Sequence, residues 1–334
     1  MADQAQDFLK IIFWQIRDHL LAKEKREPNY EDLFSAARQL FEDETAEITN
    51  PMLEGSIEAV RLMSAYLYNR YPDEWGNRFA TLADHSTDLT QSVVAQMLRA
   101  NVQRKDLEKI SELAKAVGHL DIFTLNHDLL VEEELASAKV KFSDGFGKTN
   151  GGMTEFSWDW NTAQAKVDLF KLHGSINWHI VREPKQDIAC RIDNDFESCR
   201  NRKGKLIRTL TTTPLFLTGT IVKERAYGQA LFGDLFRKFH DVLEQHRTLI
   251  CCGYGWSDKG INTRLDQWLR NGRENRLVIL HAQRGEPLEK KSFWINRWDA
   301  QHKAKKVVVI EKWLPQVKID QLAKFITDPI VVPK

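Results

Sequence analysis

Apolar positions recur at helical spacing through the first third of the chain. Phe8, Leu9, Ile12, Phe13, Ile16 and Leu20 make one stripe, the three-and-four spacing that lines one face of a helix. Asn29 predicts an N-cap for a helix over Tyr30–Phe41, with Asp32 three residues on. Asn50-Pro51 marks another start, because proline suits the first helical turn, and that helix runs to about Tyr68. A further pattern, Asp106–Val117, ends at Gly118, the residue type expected at a helix C-cap. No strand pattern is visible before residue 119.

The character then changes. Short apolar runs cover Asp121–Leu125, Val167–Leu172, Thr248–Cys252, Arg276–Leu280 and Lys306–Ile310. Helical patterns at Leu129–Ser137, Leu231–Gln245, Ile261–Arg270 and Ile319–Thr327 lie between or after them. Val-, Ile- and Leu-rich strands alternating with helices predict an α/β fold: a Rossmann-like, doubly wound, mostly parallel sheet covered on both faces. The expectation is a single domain over residues 1–334, with a helical region over 1–118 and a Rossmann-like core over 119–334. A polar excursion at about 183–213, containing Cys190 and Cys199, interrupts that core.

Composition changes this picture little. The 334 residues are 42% hydrophobic and 28% charged, enough for a sizeable core. A net charge of +1 provides no global attraction to nucleic acid or an anionic membrane. No apolar run reaches the ~18 residues that span a bilayer, and Met1-Ala-Asp-Gln-Ala-Gln lacks a signal-peptide pattern. Four cysteines make no disulfide scaffold, so a reducing, cytoplasmic setting is expected.

Ligands of doubly wound sheets bind beyond the carboxyl ends of the strands. Asn126-His127-Asp128, His173-Gly174-Ser175 and the segment Gly253–Asn262 occupy those places. The types suit a nucleotide: glycines let a backbone approach phosphates, Asp and Asn hold ribose hydroxyls, and a histidine moves protons near neutral pH. Each also has a plainer reading. Asn126 suits a helix cap, His173 a hydrogen-bonded structural histidine, and Gly253–Gly255 a turn. His127-Asp128 lacks companion ligands for a metal, and Cys190 and Cys199 lack the tight paired spacing of a zinc site. Asp193-Asn194-Asp195 lacks the rest of a calcium loop. Gly174-Ser175 does not satisfy the hydrolase elbow.

Taken in order, four segments resemble the bacterial sirtuin-like family. They are Thr124-Leu125-Asn126-His127-Asp128, Asp144-Gly145-Phe146, Lys171-Leu172-His173-Gly174-Ser175-Ile176-Asn177-Trp178, and Gly253-Tyr254-Gly255-Trp256-Ser257-Asp258 with Ile261-Asn262. The resemblance implies a Rossmann-like fold with NAD as substrate or ligand and no metal. It implies that Asn126 positions water or a hydroxyl beside the nicotinamide ribose and that His173 is the general base. Asp128 would help shape that pocket, Gly253, Ser257 and Asp258 would line the adenosine side, and Thr124, Gly174, Tyr254 and Asn262 would also belong to the cofactor-binding residues.

The family's deacylases carry a four-cysteine zinc module that this chain lacks. Members without it act as NAD glycohydrolases, often in anti-phage defence. The family's opening strand and glycine-rich loop also have no counterpart in residues 1–30, which hold no glycine. The expectation is therefore either a start upstream of Met1 or a degenerate member, with residues 1–334 alone binding NAD weakly or not at all. Two readings follow from the resemblance. One is an NAD glycohydrolase. The other is a non-catalytic subunit that senses NAD or ADP-ribose and docks a protein partner through the N-terminal helices; a homo-oligomer is a further expectation. A deacylase ranks third.

Overall fold

The computed structural model describes residues 1–47, 51–71, 76–100, 106–150, 152–157, 164–182, 187–192, 200, 209, 213–219, 223, 225–228, 230–282 and 306–327. Helices α1 (Ala2–Glu24), α2 (Tyr30–Glu44), α3 (Glu54–Tyr68) and α4 (Arg78–Ala100) form the N-terminal region. They enclose one core that includes Phe8, Ile12, Leu40, Val60, Phe79 and Leu82. Asn29 starts α2 as expected: its side chain accepts from the amides of Glu31 and Asp32, and the Asp32 carboxylate accepts from the Asn29 amide. Among the described residues no helix is long and apolar enough to cross a membrane.

Helix α4 has no counterpart in the hydrophobic pattern, for a physical reason. Its inner face places Ser86 and Thr90 in the core. Their hydroxyls are satisfied within the helix, by the carbonyls of Leu82 and Ser86 at 2.8 and 2.9 Å. Such back-bonding lets a polar residue line an apolar interface, and it breaks the stripe a reader looks for. Helix α5 (Glu108–Ala116) ends in an extended Val117. The C-cap is therefore Val117 and not the expected Gly118, whose φ is not among the positive ones.

The core is α/β, as the alternation predicts. Strands β1 (Leu120–Thr124), β2 (Phe142–Ser143) and β5 (Val167–Lys171) form a parallel sheet of order β1-β5-β2. Strands β8 (Thr248–Cys252), β9 (Arg276–Leu280) and β10 (Val307–Ile310) form a second parallel sheet, order β10-β9-β8. The two share a layer. On one face Phe123, Phe170, Leu249 and Leu277 join one core with α7 (Ala230–Gln245) and α8 (Lys259–Asn271). On the other, Leu120, Ile250 and Val278 join Leu113 of α5 and Leu322 of α9 (Ile319–Thr327). Helix α6 (Leu130–Ser137) covers that same face through Val131 and Leu135 against Val167 and Leu169.

The layer is split at its middle. Strand β1 pairs with β5 and β8 pairs with β9, and no described strand lies on the other side of either. All five residues of β1 are only partly buried, whereas all five of β5 are buried. Inner strands of a doubly wound sheet are normally its most buried ones, so the split leaves two open edges where a centre would be. His246 bridges it at one end, with Nε2 2.6 Å from Asp121 Oδ2.

A separate antiparallel sheet was not legible in the sequence. Strands β3 (Phe146–Asn150), β4 (Met153–Phe156), β6 (Trp178–Arg182) and β7 (Asp187–Ile192) pair in the order β3-β4-β7-β6. The start of the polar excursion is thus the second arm of a hairpin, with Cys190 buried beside Met153, Val181 and Ile192. Asp193, Asn194, Asp195 and Cys199 lie outside the described residues.

Candidate functional site

The parallel register brings two of the sequence segments together. Thr124 pairs with Lys171, so Asn126 and His173 each stand two residues beyond the last paired position of adjacent strands. The following turns are tied to each other: the His127 carbonyl accepts from the Ile176 amide at 3.0 Å and from Ser175 Oγ at 3.3 Å. The His127 and His173 rings lie 6.1 Å apart between centroids. Asn126 is exposed at this rim, and its amide donates to Thr124 Oγ1 at 3.1 Å. Asp128 turns the chain into α6, with Oδ1 accepting from the Leu130 amide at 3.1 Å. Its carbonyl accepts from the buried Lys171 ammonium, which also pairs with Glu132 at 2.9 Å.

Gly174 makes the turn after β5 possible. Its φ is +78°, and a Cβ there would stand 2.3 Å from the Leu215 carbonyl oxygen. Only glycine combines that left-handed backbone with so close an approach. Segment 215–217 closes over the turn, with Leu217 donating to the His173 carbonyl at 2.8 Å. Helix α4 supports it from behind: Gln91 donates to the Phe216 carbonyl at 3.1 Å, and Arg99 to the Ile176 carbonyl at 2.7 Å.

His173 is the centre of the buried chemistry. Its Nε2 lies 2.5 Å from the Tyr227 hydroxyl and 3.1 Å from Asp258 Oδ2, and Tyr227 itself donates to that oxygen at 2.6 Å. The anion sets the tautomer. A lone pair on Nε2 would face the carboxylate, so the proton belongs on Nε2, and Nδ1 is the atom left to accept one. Burial pushes the His173 imidazole below its usual range, against the raising effect of the Asp258 hydrogen bond. Burial pushes the Asp258 carboxyl up, but hydrogen bonds from His173, Tyr227 and the Ile261 amide outweigh it and leave the group low. The result is a neutral imidazole beside a fixed carboxylate, the arrangement that orients a histidine base.

Asp258 holds its place by capping α8, with Oδ1 accepting from the Ile261 amide at 3.0 Å. Tyr227 was not anticipated, and nothing local in its sequence marks it. It is held by contacts distant in the chain. Its ring stacks on Phe236 at 4.3 Å and lies over Gly260, where a Cβ would stand 2.6 Å from it. Its segment is pinned to α2 by Lys223–Glu31 at 2.7 Å and Arg225–Glu42 at 2.5 Å. The helical region thus shapes the site from outside the sheet.

Beyond β8, the expected cofactor-binding residues divide. Gly253 and Gly255 have nothing within 4 Å of where a Cβ would stand, and Ser257 is exposed. Tyr254 and Asn262 serve the loop instead. Tyr254 donates to Asn262 Oδ1 at 3.0 Å and to the Asp258 carbonyl at 3.1 Å, while Asn262 Nδ2 donates to the Trp256 carbonyl at 2.9 Å. An open groove lined by Tyr227, Phe236, Lys259, Gly260 and Arg264 runs alongside.

No curated protein sequence matches the chain. A solved structure of a Sir2 homologue mutant in complex with 2'-O-acetyl ADP ribose is similar at 15% identity. That match covers 79% of this chain and 83% of the other, with a TM-score of 0.37. The model of the SIR2-like domain matches residues 121–304, which hold β1 from Asp121 onward, β5 and β8 with the turns after them. The chain belongs to the SIR2-like domain family.

Proposed function

We propose that the chain binds NAD beyond the carboxyl ends of β1, β5 and β8 and hydrolyses its nicotinamide–ribose bond. The observation that carries this reading is the buried His173–Asp258 pair, with Nε2 and Oδ2 3.1 Å apart, beside the exposed Asn126. The glycosidic electron pair leaves with the nicotinamide nitrogen, and a water oxygen bonds to the ribose carbon. The water proton passes to His173 Nδ1, and the products are nicotinamide, ADP-ribose and a proton. Asn126 positions the water or a ribose hydroxyl. Gly253, Gly255 and Ser257 offer open backbone and a hydroxyl to the adenosine half. The family resemblance extends this reading to NAD depletion in phage-infected bacteria.

A second reading is a non-catalytic sensor of NAD or ADP-ribose. The split between β1 and β8 favours it, because it opens the sheet where a nucleotide's phosphates would meet a helix N-terminus. Incubation with NAD, followed by chromatography of nicotinamide and ADP-ribose, separates the two. Hydrolysis gives both products in equal amounts, whereas a sensor binds ADP-ribose and releases neither.

A further inference from the structure

The amino ends of the same strands carry a second cluster, on the far edge of the sheet from His173. His119 precedes β1, Asp121 lies on β1, Asp168 lies on β5, and His246 precedes β8. His119 Nε2 stands 3.6 Å from Asp121 Oδ1 and 3.6 Å from Asp168 Oδ2. One donor atom from each of these three residues lies within 4.8 Å of the others. The second oxygen of Asp121 takes His246 Nε2 at 2.6 Å.

Two features set this cluster apart from a solvated ion pair. The Asp168 side chain is 5% exposed, yet its Oδ1 has no hydrogen-bond partner among the described residues. A buried carboxylate oxygen left unpaired is costly. The Asp168 and Asp121 carboxylates also face each other closely enough to repel. A divalent cation among the three donors relieves the repulsion, and binding through both Asp168 oxygens gives Oδ1 a partner as well. Zinc binds nitrogen and oxygen ligands at about 2.0–2.2 Å, which sets neighbouring donors about 3.4 Å apart in a tetrahedron. The two 3.6 Å spacings around His119 fit that edge. Besides His119 itself, Lys238 of α7 acts on Asp168 as a positive charge, and its ammonium cannot bridge three donors as a metal does.

We propose that His119, Asp121 and Asp168 form a divalent-cation site, suited to zinc by its mixed imidazole and carboxylate donors. His246 acts behind it, orienting Asp121 through the other carboxylate oxygen. Asp121 and His246 stand on opposite sides of the split, so a cation that fixes Asp121 steadies the hydrogen bond joining the two half-sheets at their amino ends. This site is structural and lies apart from the proposed NAD chemistry. It rests on neither the family resemblance nor the hydrolase reading.

The test uses the full chain, freed of metal with a chelator and titrated with Zn2+ at neutral pH by calorimetry and thermal unfolding. The expected result is one saturable site per chain and a raised melting temperature. Asp168→Asn and His119→Ala should each weaken binding by at least ~10²-fold. Co2+ serves as a second probe that does not depend on the variants. A visible tetrahedral band without thiolate charge transfer supports the site. A thiolate band would place the metal on cysteines and overturn it. Failure of the unsubstituted chain to bind Zn2+ saturably, or an affinity unchanged from the parent in both variants, also overturns it.

Discussion

Asp258 Oδ2 lies 3.1 Å from His173 Nε2, although the two residues are 85 positions apart. The contact joins the turn beyond β5 to the helix beyond β8, so it bridges the split layer at its carboxyl end. It also divides the work of one carboxylate: Oδ1 caps α8 and Oδ2 orients the histidine.

That division makes Asp258→Asn an informative substitution. Asparagine caps helices as well as aspartate does, so the α8 start should survive and the melting temperature should change little. The fixed negative charge behind His173 is lost. NAD cleavage should fall by ~10²–10⁴-fold, the usual worth of a positioned acid–base group. Steady-state kinetics and calorimetric melting on the same preparation check both halves.

Gly174→Ala should act the other way, on folding before chemistry. The new methyl would sit 2.3 Å from the Leu215 carbonyl oxygen, on a residue whose φ is +78°. The left-handed backbone alone costs a non-glycine residue roughly 1–2 kcal/mol, and the clash adds to it. Urea unfolding should show a loss of at least about 2 kcal/mol. A stability within 0.5 kcal/mol of the parent, the usual range of a neutral surface change, would refute the reading of this turn.

What the sequence revealed and what it hid follow one physical distinction. Strands β1, β5 and β8 are mostly apolar, because helices cover both faces of a parallel layer, and the turns after them carry the polar residues that stood out. Strands β4 and β7 contain Thr154, Glu155 and Arg191, so they read as loop. Tyr227 was invisible because its position depends on Gly260, Phe236 and the two ion pairs to α2, all remote in sequence. The His119–Asp121–Asp168 cluster was hidden similarly, since Asp168 joins the other two only through strand pairing. Tyr254 and Asn262 have the chemistry of ligand contacts, but only the folded loop shows their polar groups joined to each other.

Acid should weaken the fold through His127. Burial lowers its pKa from 6.5 to about 3. Between those values the unfolded chain binds a proton that the native chain refuses, so stability is full above pH 6.5 and falls as the pH drops toward 3. The slope is about 1.4 kcal/mol per pH unit for one such group. His179, lowered to about 4 by burial, acts in the same direction over pH 6.5–4. Urea unfolding at a series of pH values should show the decline, and His127→Phe, which keeps a ring against Phe216, should flatten it.

The split layer makes a prediction for hydrogen exchange. The Leu120 amide donates to Lys166 on the β5 side. With the two-residue period of a strand, the amides of Ile122 and Thr124 face β5, and those of Asp121 and Phe123 face the open edge. The outward pair should exchange much faster than the inward pair in residue-resolved measurements. Equal protection of all four would mean that another strand fills the split in solution.

The most direct test of the central claim is the release of nicotinamide from NAD by the full chain, compared with His173→Ala. The account predicts equimolar nicotinamide and ADP-ribose from the parent chain, and at least ~10²-fold slower release from the variant at an unchanged melting temperature. Release at the same rate from both proteins, or none above the spontaneous rate from the parent, would contradict it.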